Sequence, residues 1–133
     1  MSPISFLDEG LTAERSDYIV IGGYPSDGKT ALALSLAYRQ ARDRRVGFFS
    51  LETKTSKLVN RIYSSAAQVS GSRIKRRALT EEDYRLLEGK AEEVRSRELY
   101  LIRSSSMTVE DIASYTLARR FDEIGRASCR ERV

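Results

Sequence analysis

Eight consecutive residues, Gly23-Tyr24-Pro25-Ser26-Asp27-Gly28-Lys29-Thr30, match G-x-x-x-x-G-K-[ST] at every fixed position. Each fixed residue has a physical reason. A loop that wraps a polyphosphate turns its backbone amides inward, and Gly23 and Gly28 allow the backbone angles and close approach that a side chain would block. A helix beginning near Lys29 would aim its free amides and the positive end of its dipole at the anion. Lys29 adds a point charge at the β- and γ-phosphates of a nucleotide, and Thr30 offers a hydroxyl to the Mg²⁺ that bridges them. The plain alternative is a glycine-containing turn between a strand and a helix, so the flanking elements decide.

Those elements fit. Tyr18-Ile19-Val20-Ile21-Gly22 is apolar, β-branched and closed by glycine, and it predicts a buried strand leading into the loop. Lys29 to Arg42 is rich in Ala and Leu without a breaker and predicts a helix. Its apolar residues Ala31, Leu32, Leu34, Leu36 and Ala37 lie nearly all round it, which predicts burial on more than one side. Val46 to Leu51 reads as a second apolar strand, and Glu52 follows it. In a parallel α/β sheet the ligand lies beyond the carboxyl ends of the strands. A carboxylate at that edge can orient or deprotonate a water beside the γ-phosphate. From position alone, a solvated loop acid or a helix N-terminal acid is an equally good reading of Glu52.

Further along, Lys54 to Val69 places Leu58, Val59, Ile62, Tyr63 and Ala66 on one helix face. Ser70 to Arg77, with the basic cluster Lys75-Arg76-Arg77, predicts a loop or a short helical turn. Thr80-Glu81-Glu82-Asp83 and Thr108-Val109-Glu110-Asp111 each carry a capping signal. The first opens a helix with Tyr84, Leu87, Ala91 and Val94 on its face, the second one with Ile112, Ala113, Leu117 and Phe121. Leu99 to Ile102 is a third strand. Strand, helix, strand, helix, helix, strand, helix implies α/β architecture, a parallel sheet with helical crossovers. Basic side chains without interleaved aromatics do not make a base-stacking platform, so nucleic-acid binding does not follow from charge.

The chain has 133 residues, 41% hydrophobic and 32% charged, enough for one small domain. No apolar run is long enough to cross a membrane, and the N-terminus lacks a secretory pattern, so the expected location is cytoplasmic. Histidine is absent, which excludes a His-ligated zinc site, and one cysteine makes no internal disulfide. The net charge is +4. Ile124 to Val133 reads Ile-Gly-Arg-Ala-Ser-Cys-Arg-Glu-Arg-Val and resembles the in-frame translation of a common sequencing adapter. The alternative is a natural basic tail. Setting those residues aside removes Cys129, three Arg and one Glu, which leaves 20 basic and 18 acidic side chains of the 23 and 19. The expected organisation is a lead-in over 1–17, a partial domain around the phosphate loop over 18–122 and a non-native tail over 123–133.

The run Ile21 to Leu34 resembles the Walker A region of DnaB-type replicative helicases, and Gly47-Phe48-Phe49-Ser50-Leu51-Glu52 resembles the segment carrying their catalytic glutamate. Arg73 to Tyr84 and Thr108 to Ile112 are also similar, so the resemblance covers nearly all of 16–122. It implies an incomplete RecA-like P-loop NTPase fold with helices on both faces of the sheet. It also implies ATP and Mg²⁺ as cofactors, DNA as partner and a homo-hexameric parent that unwinds duplex DNA. Carried over residue by residue, Gly23, Tyr24, Pro25, Ser26, Asp27, Gly28, Lys29, Thr30 and Ala31 contact ATP, Thr30 holds the metal, and Lys29 and Glu52 are catalytic. Thr53-Lys54 departs from the Met-Ser common after the glutamate. The pattern ends at Phe121-Asp122, before the strand that carries the acidic Walker B motif in the family.

Three other readings stay open: a recombination-type ATPase, a small-molecule kinase, and a non-catalytic nucleotide-binding module. A kinase should show lid or substrate residues after the second strand, where Phe-Phe-Ser-Leu-Glu stands instead. Genomic sequence read across codon 122 should leave the adapter-like string and run on into an apolar strand ending in aspartate. A natural stop directly after Val133 would contradict that expectation.

Overall fold

The strand Val46–Ser50 (β1) carries the sheet, because its alternating side chains serve two layers. Val46 and Phe48 join Leu34, Ala37, Ala41, Leu58 and Ile62 in a core on one side. On the other, Phe49 meets Tyr115 and Phe121, each edge-on with ring centroids 6.3 Å apart. All five residues of β1 are buried, as expected of a parallel strand covered on both faces. The computed structural model describes residues 18–25, 27–103 and 106–127. The lead-in over 1–17, Ser26 of the phosphate-loop motif and residues 128–133 of the adapter-like string lie outside them.

The helices are Lys29–Gln40 (α1), Thr55–Ala67 (α2), Gly71–Arg76 (α3), Glu81–Ser96 (α4) and Val109–Arg119 (α5). The other strands are Leu99–Arg103 (β2) and Glu123–Ala127 (β3). The sheet order is β2-β1-β3, and both pairings are parallel, with Val46 opposite Leu99 and Glu123. Helix α1 lies against β1 and β3, and α2 packs on α1, α3 and α4. Both capping boxes form. Thr80 Oγ1 accepts from the Asp83 amide at 3.2 Å while Asp83 Oδ2 accepts from the Thr80 amide at 3.1 Å. Thr108 and Asp111 repeat the exchange at 3.2 and 2.9 Å. Asp83 is buried, and Arg73 of α3 reaches it at 2.9 Å, so the same carboxylate fixes α3 against the start of α4.

Arg45 ties the amino edge together. Its amide donates to Asp122 Oδ2 at 3.0 Å and its carbonyl accepts from the Asp122 amide at 2.7 Å. Its guanidinium donates to the Arg119 carbonyl at 3.0 Å and pairs with Glu98 at 3.4 Å. One residue therefore joins the starts of all three strands to the end of α5.

The structure corrects the sequence reading in three places. Tyr18 to Gly22 forms no strand: it has no ladder pairing among the described residues, and Tyr18 and Val20 are 91% and 73% exposed. A strand exists through hydrogen bonds to a neighbour, and both edges of β1 are taken by β2 and β3. The expected α5 face is only half realised. Ile112 and Phe121 are half-buried, but Leu117 is 79% exposed, because the aromatic contacts to β1 come from Tyr115 and from Phe121 beyond the helix. Third, residues 123–127, for which the sequence predicts no element, pair with β1. Ladder bonds come from the backbone, so a segment without apolar alternation can fill an open edge. A smaller difference is α1, which ends at Gln40 with Ala41 as its cap; only Leu34 and Ala37 of its apolar residues are fully buried.

Gly47 sits beneath Phe121. A Cβ there would lie 2.5 Å from Phe121 Cδ2, and Phe121 is itself packed on Phe49 and on Tyr100, 5.4 Å away. Gly47→Ala should therefore lower the unfolding free energy by about 1–3 kcal/mol in urea titration. Trimming the ring with Phe121→Leu in the same chain should return part of that loss; equal losses with and without the trimming would contradict the packing account.

Candidate phosphate-binding loop

Geometry at the amino edge places α1. The Ala41 carbonyl, just past α1, accepts from the Glu98 amide at 3.3 Å, and the Glu98 carbonyl accepts from the Val46 amide at 2.9 Å. The end of α1 thus lies where β1 and β2 begin. Twelve helical residues span about 18 Å, and five strand residues about 16 Å. Helix α1 starts back from that pinned end and packs on β1 and β3, an arrangement that directs its first residue, Lys29, toward the edge where β1 ends at Ser50.

At that edge the loop turns sharply. Gly28 has φ +88° and ψ 23°, the left-handed region, where L side chains are strained. This reversal makes Gly28 the residue before α1, and its carbonyl accepts the Leu32 amide at 2.9 Å. No side chain caps the N-terminus of α1, and its first turn holds no acid. The first amides of a helix have no partner within the helix, so this end keeps its donors and its positive dipole for something outside the helix. Lys29 Nζ donates to the Gly23 carbonyl at 2.7 Å, which carries the ammonium back over the loop. An ammonium has three donors, so two remain for a ligand. Gly23 contributes space rather than an unusual φ: a Cβ there would be 3.4 Å from both Lys29 Cγ and Asp27 Oδ2.

The loop is closed by a pair of bonds that the motif pattern does not predict. The Tyr24 amide donates to Asp27 Oδ2 at 2.8 Å, and the Asp27 amide donates to the Tyr24 carbonyl at 3.2 Å. The available signal was Asp at a turn, where its carboxylate commonly binds nearby backbone. Tyr24 is 82% exposed, and Pro25 and Ala31 are exposed beside it, whereas Lys29 and Thr30 are half-buried. Ser26 lies outside the described residues.

Glu52 follows β1 at the same edge, exposed, in a bend closed by the Ser50 hydroxyl donating to the Thr53 carbonyl at 2.7 Å. Ser50 is itself buried, so this bond satisfies a hydroxyl inside the fold while turning the chain outward at Glu52. Among the described residues no cluster of three or more His, Cys, Asp or Glu could hold a metal. A cation here would depend on Thr30 and on the ligand's own oxygens.

A concavity of about 280 Å³ lies between α1, α2, α4 and β2, lined by Tyr38, Ile62, Val94, Leu99 and Leu101 among others. None of its residues belongs to the loop. Burial raises the Tyr38 phenol above its ordinary pKa, and Arg97 lies 4.6 Å over its ring. Arg95 and Arg97 line it beside the apolar side chains. Lys75, Arg76 and Arg77 are exposed on and after α3. No helix in the described residues is long and apolar enough to cross a membrane.

Comparison with known proteins agrees with this geometry. The family model described as DnaB-like helicase C terminal domain matches residues 4–127. A probable plasmid replicative DNA helicase of Chlamydia trachomatis is 33% identical over 120 residues, covering 88% of this chain and 27% of that protein. A replicative DNA helicase DnaB of Treponema pallidum is 33% identical over 121 residues, covering 84% of this chain and 27% of its own length. A solved DnaB-like replicative helicase, described with its interactions with primase, superposes with TM-score 0.66 at 29% identity. That match covers 71% of this chain and 23% of the solved one. The chain thus spans about a quarter of the length of these relatives, and the fold is that of a RecA-like ATPase core with an incomplete sheet. By its phosphate-loop motif, its parallel sheet and the family model that spans most of its length, this chain belongs to the DnaB-like helicase C-terminal domain family.

Proposed function

We propose that this chain is the nucleotide-binding portion of a replicative DNA helicase, in which ATP hydrolysis drives duplex unwinding by a homo-hexameric parent. The observation that carries the reading is the start of α1: a left-handed Gly28, an uncapped helix end and Lys29 drawn back over the loop. Those features together favour a polyphosphate, because the first amides of α1 have no acceptor within the helix and the positive end of its dipole faces the loop.

The roles follow from the residue chemistry. The turn from Gly23 to Ala31 wraps the phosphates with amides other than those of Tyr24 and Asp27, which close the loop, and Lys29 neutralises charge on the terminal two. Thr30 supplies one oxygen to Mg²⁺, which when bound offsets charge on the phosphate oxygens. Glu52, carried to the same edge by β1, orients the attacking water and accepts its proton. DNA is the parent's partner, through segments beyond this chain, and the work is cytoplasmic. The strand β3 holds, in this chain, the place of the strand that the family resemblance puts after Asp122.

Fluorescent-nucleotide titration of the 133-residue chain should detect MgATP binding that Lys29→Ala weakens at least about tenfold, the loss of one charge-assisted contact or more. Equal affinity in the two chains would overturn the site. In a full-length relative carrying these residues, Glu52→Gln should keep nucleotide affinity and lower kcat by about 10²–10⁴. A weakened affinity with kcat unchanged would make Glu52 a binding residue instead. The 133 residues alone should show negligible turnover, since they lack the second acidic motif; rapid phosphate release by them would contradict this.

A further inference from the structure

We infer that Asp27 is a positioning residue for the phosphate loop, acting through its carboxylate oxygen on the Tyr24 amide. The inference rests on the nucleotide-site reading above and deepens it. The motif leaves position 27 free to be any residue. In the structure it is not idle. Asp27 Oδ2 accepts from the Tyr24 amide at 2.8 Å, while the Asp27 amide donates back to the Tyr24 carbonyl at 3.2 Å. The two bonds close one ring across Tyr24 to Asp27, immediately before the Gly28 reversal.

The consequence is mechanical. Gly28 is the most permissive residue in the loop, and on its own it would let the segment from Gly23 sample many arrangements. Two restraints limit it. The Lys29 ammonium on the Gly23 carbonyl ties the loop's beginning to α1, and the Asp27 carboxylate ties its middle to Tyr24. Both meet at Gly23, where Asp27 Oδ2 and Lys29 Cγ each stand 3.4 Å from the position a Cβ would take. Preorganisation of this kind raises affinity by removing ordering cost at the moment of binding. The carboxylate also places negative charge beside the anion site, which opposes binding. An amide side chain keeps the acceptor and removes the charge, so the two effects separate by substitution.

The test is nucleotide affinity of three 133-residue chains, with folding checked by circular dichroism. Asp27→Ala should bind MgATP about fivefold to tenfold more weakly than the unaltered chain, as expected for one lost loop hydrogen bond. Asp27→Asn, which retains an acceptor oxygen, should bind at least as tightly as the unaltered chain, and its advantage should be larger for ATP than for ADP. Rescue by Asn is the readout that a merely space-filling role would not give. Affinity in Asp27→Ala equal to the unaltered chain, or Asp27→Asn as weak as Asp27→Ala, would overturn the inference while leaving the site itself standing. No MgATP binding by the unaltered chain would overturn both.

Discussion

A single backbone reversal at Gly28 governs what this chain can bind. With φ at +88° the loop turns back on itself and enters α1 with no side chain over the helix end. The donors left there have no acceptor in the helix, and at this exposed loop they are open to a ligand. An anion with several oxygens is the natural complement. The sheet supports this arrangement from below: α1 packs on β1 and β3 and is clamped at its far end by the bonds joining Ala41, Glu98 and Val46.

What the sequence made legible followed from local chemistry. The two capping boxes could be read from Thr80 with Asp83 and from Thr108 with Asp111, because each needs only residues three apart. The α2 face, with Leu58 and Ile62 buried, followed from helical spacing. Gly28 could be assigned its turn because the motif demands a conformation that only glycine adopts easily. Glu52 could be placed just past the end of β1, where it stands exposed, and its chemistry rests on resemblance.

What was not legible depended on partners far along the chain. Tyr18 to Gly22 has strand composition, yet strand formation needs a free neighbouring edge, and composition carries no information about who holds it. The opposite error occurred at 123–127, where weak composition pairs with β1 through backbone bonds alone. Leu117 shows the same limit in a helix: its spacing fits a buried face, but Tyr115 and Phe121 take the contacts with the sheet. The Tyr24–Asp27 closure of the loop needed coordinates, since the motif treats both positions as arbitrary.

The central claim is that the α1 end receives a nucleotide's phosphates. Amide chemical shifts in isotope-labelled chain, followed during addition of MgATP, address it residue by residue. The account predicts the largest changes at Gly28, Lys29 and Thr30, with Tyr38 and Leu99 in the apolar concavity unmoved. Changes centred on that concavity, or none at the loop at saturating MgATP, would contradict it.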